Sequence, residues 1–394
     1  MGIAKKMRTF AEKSSWIRKM FEEGARMKAE FGQDNVFDFS LGNPDVPPPP
    51  LFYSVIREVI DNETPGIHGY MPNQGFPFVR EALAKKISNE QMVPIQGSDI
   101  LMTCGAAGAL NVIFKALLDP GDEVIAPSPY FVEYGMYVDN HGGVLNPVPT
   151  DAEFNLDLAA IEAALNEKTK IVLINSPNNP TGQIYSADSL KKLGDLLKKA
   201  GEKFKHTIYL VSDEPYRNIV FDGHTVAPLM TASSNTIVAS SYSKELSLPG
   251  ERIGFIAVHP EMDGKQEMLG ALTLANRILG FVNAPALMQR VVAQLQEASV
   301  DSAIYAKRLD AFCSILDAAG IKYVRPKGAF YLFPQAPIED DVHFCQLLQQ
   351  EKILAVPGRG FGLPGHFRLA FCVDEKVIRA STEGFKRAAA AAKD

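Results

Sequence analysis

The stretch Ser241-Tyr242-Ser243-Lys244-Glu245-Leu246-Ser247-Leu248-Pro249-Gly250-Glu251-Arg252-Ile253-Gly254 follows the apolar run Thr236-Ile237-Val238-Ala239, which reads as a buried strand. That strand gives way to hydroxyl residues, one lysine, a Pro-Gly turn and one arginine. A long cation at the mouth of a buried strand is costly to desolvate without a partner. Taken alone it has an ordinary reading, a solvated lysine just past a strand. The sharper reading is a lysine fixed by covalent chemistry, an imine with an aldehyde, with the serine hydroxyls and Arg252 binding an attached phosphate.

The chain on either side decides what kind of sheet this strand belongs to. Strand-like runs lie at 100–103, 123–126, 143–145, 170–174, 208–211, 236–239 and 253–258, with helical stretches at 106–118, 131–140, 158–165 and 186–200. Strands alternating with helices predict an α/β fold with a mostly parallel sheet covered on both faces. Upstream, residues 15–32 read as an amphipathic helix capped by Ser14 or Ser15, with Ile17, Met20, Phe21, Ala25 and Met27 as its apolar stripe. A strand at 36–41 leads into Gly42-Asn43-Pro44-Asp45-Val46 and four prolines at 47–50, a stiff connector that cannot be helix. Helices follow at 51–62 and 76–89. Residues 260–310 form long helices broken near 280–285. Beyond them, strands at 321–324, 329–333, 353–356 and 366–371 with helices at 342–351 and 376–392 make an α+β unit, and the Ala-rich end 387–393 reads as the solvated end of a helix.

The 394 residues, 46% of them hydrophobic, are enough for two domains of ordinary globular composition. A net charge of −6 argues against a nucleic-acid binder held by a basic face. No apolar run reaches the length of a membrane span, and the N-terminus is basic but leads into no apolar signal core. Four scattered cysteines without a C-x-x-C pair read as free thiols of a reducing cytoplasm. No histidine pair has metal-ligand spacing, so no metal is expected.

In an open α/β sheet ligands sit beyond the carboxyl ends of the strands, and five such ends carry chemistry here. Gly105-Ala106-Ala107 opens a helix whose free N–H groups favour a phosphate; the plain reading is a tight turn. Phe131, or Tyr130 beside it, offers a flat face for a heteroaromatic ring; alone it would be a core aromatic. Asp213 ends a buried strand, where a carboxylate needs a cation such as a pyridinium nitrogen, unless it merely caps a helix. Asn179 and Tyr216 can donate to a ring oxygen, although Asn179 could also simply shape its Pro-Thr-Gly turn. Lys244 would form the imine and shuttle a proton. Together these parts describe a pyridoxal phosphate site.

These residues resemble the fold-type I pyridoxal-phosphate-dependent aminotransferases of class I/II, the aspartate and aromatic aminotransferase-like group. The resemblance rests on the lysine stretch with Pro249-Gly250-Glu251-Arg252-Ile253-Gly254, on Asn178-Asn179-Pro180-Thr181-Gly182 and on Asp213-Glu214-Pro215-Tyr216. It extends to Leu41-Gly42-Asn43-Pro44-Asp45, Tyr70 with Gly75, Gly328-Ala329-Phe330-Tyr331 and Phe367-Arg368-Leu369-Ala370-Phe371, and so covers residues 36–372. It implies that Arg368 grips the substrate α-carboxylate, helped by Asn179 and the backbone of Gly42, and that Ser241, Ser243, Arg252, Ala106 and Ala107 bind the phosphate. Phe131 rather than Tyr130 then stacks on the ring. Tyr70 would reach the phosphate of a neighbouring subunit, which makes a homodimer with shared sites. Arg277 and Arg359 are the cations nearest the expected side-chain pocket, with Arg277 one residue out of register, and residues 15–17 could close over the site.

The resemblance also implies an organisation: an N-terminal helix and arm over residues 1–47 belonging to a small domain, a large cofactor-binding domain over 48–290, and the rest of the small α+β domain over 291–394, so that both chain ends build it. The expected function is transfer of an amino group between an L-amino acid and a 2-oxo acid through a Lys244 Schiff base, with aspartate, glutamate or a broader set including aromatic donors, and 2-oxoglutarate as acceptor. The alternatives are a β-eliminating C–S lyase on the same fold and, outside the enzymes, a cofactor-binding regulator.

Overall fold

The computed structural model describes residues 2–12, 16–62 and 64–393. Helices α1 (Lys5–Glu12) and α2 (Trp16–Phe31) lead to the short strand β1 (Phe37–Asp38). Met20 and Met27 of the expected stripe are buried, whereas Ala25 is exposed. The expectations for Ser14 and Ser15 and for the side chains of Ile17 and Phe21 lie outside the described residues. The proline run ends by starting α3 (Pro50–Ile60), with Pro50 at its first position, where a missing N–H costs nothing. Then comes α4 (Pro77–Gln91).

The central sheet consists, among the described residues, of β2 (Ile100–Thr103), β3 (Glu123–Ser128), β4 (Val144–Pro149), β5 (Thr169–Asn175), β6 (Tyr209–Asp213), β7 (Thr236–Ser241) and β8 (Gly254–Val258). Their order is β2-β8-β7-β6-β5-β3-β4. All neighbours pair parallel except at β8, which runs antiparallel to both β2 and β7. The carboxyl ends of β2, β7, β6, β5 and β3 therefore share one edge. Because β8 runs the other way, its start at Gly254, and Arg252 just before it, lie on that same edge. Thr103 and Ser241 both pair with Gly254.

Alternate residues of these strands feed two opposite faces. Leu101, Val211, Ile237 and Ile256 pack with α5 (Gly105–Leu117) and α9 (Lys265–Ile278). Ile100, Met102, Val238 and Ala257 pack with α3, α4 and α10 (Ala286–Ala293). Farther along, Ile125, Val172 and Leu210 pack with α7 (Leu158–Ala164) and α8 (Ala187–Phe204). Each such fully buried aliphatic stabilises the fold by about 1.5–3 kcal/mol relative to exposure. The sheet is thus the middle layer of three.

The chain ends meet. β1 pairs parallel with β10 (Ile353–Leu354), and Phe39 and Val46 share a core with α11 (Ser302–Ala319) and the residues after it. There β9 (Tyr331–Leu332), β12 (Phe367–Ala370) and β11 (Val356–Pro357) form a small antiparallel sheet, flanked by α12 (Asp341–Gln350), α13 (Glu375–Ala380) and α14 (Thr382–Ala391). Two expectations for this part are corrected. Residues 321–324 form no strand: Ile321 donates to Leu316 O at 2.9 Å just after the left-handed Gly320 that ends α11, so its apolar side chain closes a helix end. The Ala-rich terminus is not wholly solvated either, since Ala388 and Ala389 are buried where small side chains let α14 lie close to its neighbours. The helical region 260–310 breaks twice, at 279–285 as expected and again at 294–301.

Candidate active site

A cavity of about 280 Å³ opens at the shared strand edge. Lys244 leaves β7 half-buried, and its Nζ donates to the carbonyl of Gly42 at 2.8 Å. Burial pulls the amine down to about 8; Cys372 opposes this next most strongly, and the Arg368 and Arg252 cations add to the lowering. No carboxylate is paired with it among the described residues. An amine in this setting is a nucleophile and a proton acceptor near neutral pH.

Asp213 ends β6, buried, with Tyr134 Oη donating to its Oδ2 at 2.6 Å. Tyr134 lies on α6 (Glu133–Asp139) and is fully buried. The other oxygen, Oδ1, is buried with no partner among the described residues. Burial pushes the carboxyl up to about 7, with the Tyr134 hydrogen bond lowering it and Glu214 raising it further. A buried carboxylate with an open oxygen is a site for a cationic N–H. Asn175 joins this acid to the rest of the cavity: its Nδ2 donates to Asp213 O at 2.7 Å and its Oδ1 accepts from Asn179 N at 2.6 Å.

Arg368 crosses from β12, 2% exposed. Its Nη1 donates to Asn179 Oδ1 at 3.1 Å and its Nη2 to Ser40 O at 2.5 Å, while Nε has no partner among the described residues. Its guanidinium carbon lies 4.8 Å from the ring centroids of both Tyr331 and Phe361. Burial lowers its pKa, but a guanidinium stays protonated in a protein. A buried fork with an open edge and no paired carboxylate suits an incoming carboxylate.

At the opposite end α5 begins without a side-chain cap, and its first-turn N–H groups have no intrahelical partner; among the described residues no bond from them to another group is found. Ser241 and Ser243 are buried, and neither hydroxyl has a hydrogen-bond partner among the described residues. Among the described residues Arg252 donates to Pro249 O alone, at 2.9 Å. Gly105, at φ +73°, leaves room for it: a Cβ there would come within 2.6 Å of the Arg252 Nη2. Backbone donors at a helix start, two hydroxyls and a guanidinium make an anion cradle.

The fold thus brings Gly42, Ala106, Ala107, Phe131, Asn179, Asp213, Tyr216, Ser241, Ser243, Lys244, Arg252 and Arg368 to one cavity, with Gly105 behind Arg252. Phe131 lines it and Tyr130 does not. Three expected residues lie elsewhere. Tyr70 is 92% exposed in a separate groove beside Phe281–Asn283. Arg277 is exposed at the end of α9. Arg359 bonds Asp341 at 2.7 Å and Asp340 at 2.8 Å, an ion pair of the C-terminal part. The expectation that residues 15–17 close over the cavity falls outside the described residues. Sequence reasoning gave no role to Tyr134, Tyr137, Asn175 and Tyr331. Tyr331 Oη lies 2.8 Å from Tyr216 Oη. Tyr134 stands three residues past Phe131, and its ring meets that of Phe131 edge-on at 5.5 Å; that spacing signals a neighbour of Phe131 but not a partner of Asp213. Among the described residues no acidic, His or Cys cluster could hold a metal ion.

Residues 34–383 match the family model for aminotransferase class I and II. An aspartate/prephenate aminotransferase of Thermus thermophilus is 33% identical over 362 residues, 88% of this chain and 89% of that protein. An amino transferase from Eubacterium rectale superposes with a TM-score of 0.96 at 38% identity, covering 100% of both chains. The aspartate aminotransferase of Thermus thermophilus solved with maleate superposes with a TM-score of 0.88 at 28% identity, covering 98% of this chain and 100% of that one.

Proposed function

The chain belongs to the class I and II aminotransferases, and from that premise we propose how its residues divide the work and which substrates they take. The enzyme is a pyridoxal-5′-phosphate-dependent aminotransferase that moves an amino group between an amino acid and a 2-oxo acid. The names of its relatives do not favour the eliminating lyase.

The residues fit the cofactor on an observation of this chain: Asp213 Oδ1 is a buried orphan acceptor, facing the same cavity as the uncapped start of α5 and the unbonded hydroxyls of Ser241 and Ser243. In our reading Asp213 holds the ring nitrogen. Ser241, Ser243, Arg252 and the N–H groups of Ala106 and Ala107 hold the phosphate beside Gly105. Phe131 covers the ring face, and Asn179 and Tyr216 donate to the ring oxygen. Bound there, the group supplies an electron sink for the carbanion formed at the substrate α-carbon.

The remaining steps belong to the protein. Lys244 would anchor the cofactor through its Nζ and, once freed by the substrate amine, would accept the α-proton at that Nζ and hold it for return on the far side of the substrate nitrogen. Burial and its cationic neighbours keep Lys244 neutral enough to accept it. Arg368, with Asn179 and the Gly42 backbone, orients the carboxylate so that the α-hydrogen faces Lys244. Asn175 ties the acid at Asp213 to that carboxylate clamp through Asn179.

The donor we favour is aspartate or glutamate, with tolerance for aromatic donors and 2-oxoglutarate as acceptor. Support comes from relatives named for aspartate and from the open fork of Arg368. Arg277 remains a candidate for the distal carboxylate only across a subunit boundary, because within one chain it does not reach the cavity. We further propose a homodimer in which Tyr70 completes the partner's phosphate site, a division into residues 1–47 with 291–394 against 48–290, and a cytoplasmic location. The last is supported by four free cysteines; among the described residues no helix is long and apolar enough to cross a membrane. A single-turnover panel of amino acids, followed by loss of the visible cofactor band, tests the substrate reading. Aspartate and glutamate should discharge the band fastest, and Lys244→Ala should lack the band and any discharge. Faster discharge by alanine or an aromatic amino acid would overturn the dicarboxylate preference.

A further inference from the structure

Tyr331 sits where three parts of the site converge, and among the described residues its hydroxyl has one hydrogen-bond partner. Tyr216 Oη lies 2.8 Å away, in a buried pair. The Tyr331 ring meets that of Tyr216 at 5.6 Å and 81° and carries the Arg368 guanidinium on its face at 4.8 Å. Gly42 makes the arrangement possible, since a Cβ on it would stand 1.9 Å from the Tyr331 hydroxyl. The same Gly42 presents its carbonyl to Lys244.

Each phenol carries one proton, and the pair can be ordered in two ways. If Tyr216 gives its proton to Tyr331, it has none to offer the cavity. If Tyr331 gives its proton to Tyr216, the Tyr216 proton is free to point at an acceptor in the cavity, and accepting one hydrogen bond strengthens the one it donates. We propose that Tyr331 is a positioning residue that donates to Tyr216 and so holds the Tyr216 hydroxyl as a donor toward the ring oxygen of the cofactor. The proposal rests on the role given to Tyr216 above. Tyr331 also fixes the plane of Arg368 through its ring, so one side chain aligns the ring-oxygen donor and the carboxylate fork. The substitution Tyr331→Phe keeps the second task and removes the first.

The test uses holoenzymes of wild type, Tyr331→Phe, Tyr216→Phe and the double variant, and reads the pH midpoint of the visible cofactor band. A donor at the ring oxygen stabilises its negative charge and so eases loss of the adjacent proton; a weakened donor moves the midpoint up. Tyr331→Phe should raise it, by less than Tyr216→Phe does, and the double variant should match Tyr216→Phe alone, because the Tyr331 proton acts only through Tyr216. With the ring still on Arg368, kcat for aspartate should fall about 5-fold, the worth of one hydrogen bond, while KM moves less than about 2-fold. A Tyr331→Phe midpoint equal to wild type while Tyr216→Phe shifts it overturns the proposal and leaves the role of Tyr216 intact. Additive shifts in the double variant overturn it as well. An unchanged midpoint in Tyr216→Phe overturns the placement of Tyr216 and the proposal with it.

Discussion

At the scale of the residue, Asp213 shows how a site stores the cost of its ligand. Its carboxyl is pushed from 3.8 to about 7 in the cofactor-free chain, chiefly by burial. The folded state then binds the proton more tightly than the unfolded state does. The resulting stability is whole below about pH 4 and is lost as pH rises through about 7. The difference corresponds to about 4 kcal/mol. Asp213→Asn removes that penalty, so the cofactor-free variant should melt higher than cofactor-free wild type at pH 8, with the gap closing toward pH 4. If Asp213 holds the ring nitrogen as proposed, the same variant should bind the cofactor more weakly, having lost that anion. A melting difference that does not change with pH would show that Oδ1 is not the strained group. Asp213 itself was legible as a carboxylate at a strand end. Tyr134, 79 positions away in sequence, was not legible as its partner, because a tyrosine on a helix announces only a buried aromatic.

At the scale of the element, α4 locks the backs of the catalytic strand ends. Asp213, Tyr216 and Lys244 are each followed by a charged residue, namely Glu214, Arg217 and Glu245, and all three turn away from the cavity toward α4. Lys86 of α4 donates to both oxygens of Glu245 at 2.8 and 2.9 Å, and Asn218 donates to the same carboxylate. Arg217 meets Glu214 at 2.8 Å and the Glu90 carbonyl at 2.5 Å. Gln91 donates to Glu214 at 2.9 Å, while its carbonyl oxygen accepts from Leu229 N and Met230 N. Glu245→Gln takes from the largely buried Lys86 cation its closest carboxylate and leaves Glu90, 4.0 Å away, and the more distant Glu297 as counter-charges, and breaking such a buried pair costs about 3–5 kcal/mol. The variant should melt well below wild type, and a Lys86→Met/Glu245→Leu pair should recover most of the loss. A double variant no better than the single one would mean that the network is fixed by more than this ion pair. The α/β alternation that places these elements was legible because strands buried on both faces read as unbroken apolar runs. Residues 321–324 carry the same apolar signature for another reason, the closing of a helix end, and periodicity over four residues cannot separate the two.

At the scale of the whole molecule, one chain brings all the proposed site residues to one cavity except Tyr70, Arg277 and Gly105, the last of which stands behind Arg252. Tyr70 stands 92% exposed, and Leu51, Tyr53, Ile60 and Phe78 of α3 and α4 also face outward. The family resemblance, not spacing, gave Tyr70 a role, and Tyr70 does not line the cavity of its own chain; in the proposed dimer its target belongs to a second copy. If subunits share sites, two defective variants can repair each other. Lys244→Ala damages the site of its own chain, and Tyr70→Ala damages the site of its partner. In a hybrid dimer both lesions fall on one site and the other site is intact. About half of the dimers in an equal, fully exchanged mixture are hybrids, so about a quarter of all sites should regain activity. Neither parent reaches that level: Lys244→Ala lacks the nucleophile, and Tyr70→Ala loses a phosphate contact and with it cofactor affinity. Activity equal to the mean of the parents after subunit exchange would mean that each chain completes its own site, and Tyr70 would then be a surface aromatic with no part in binding.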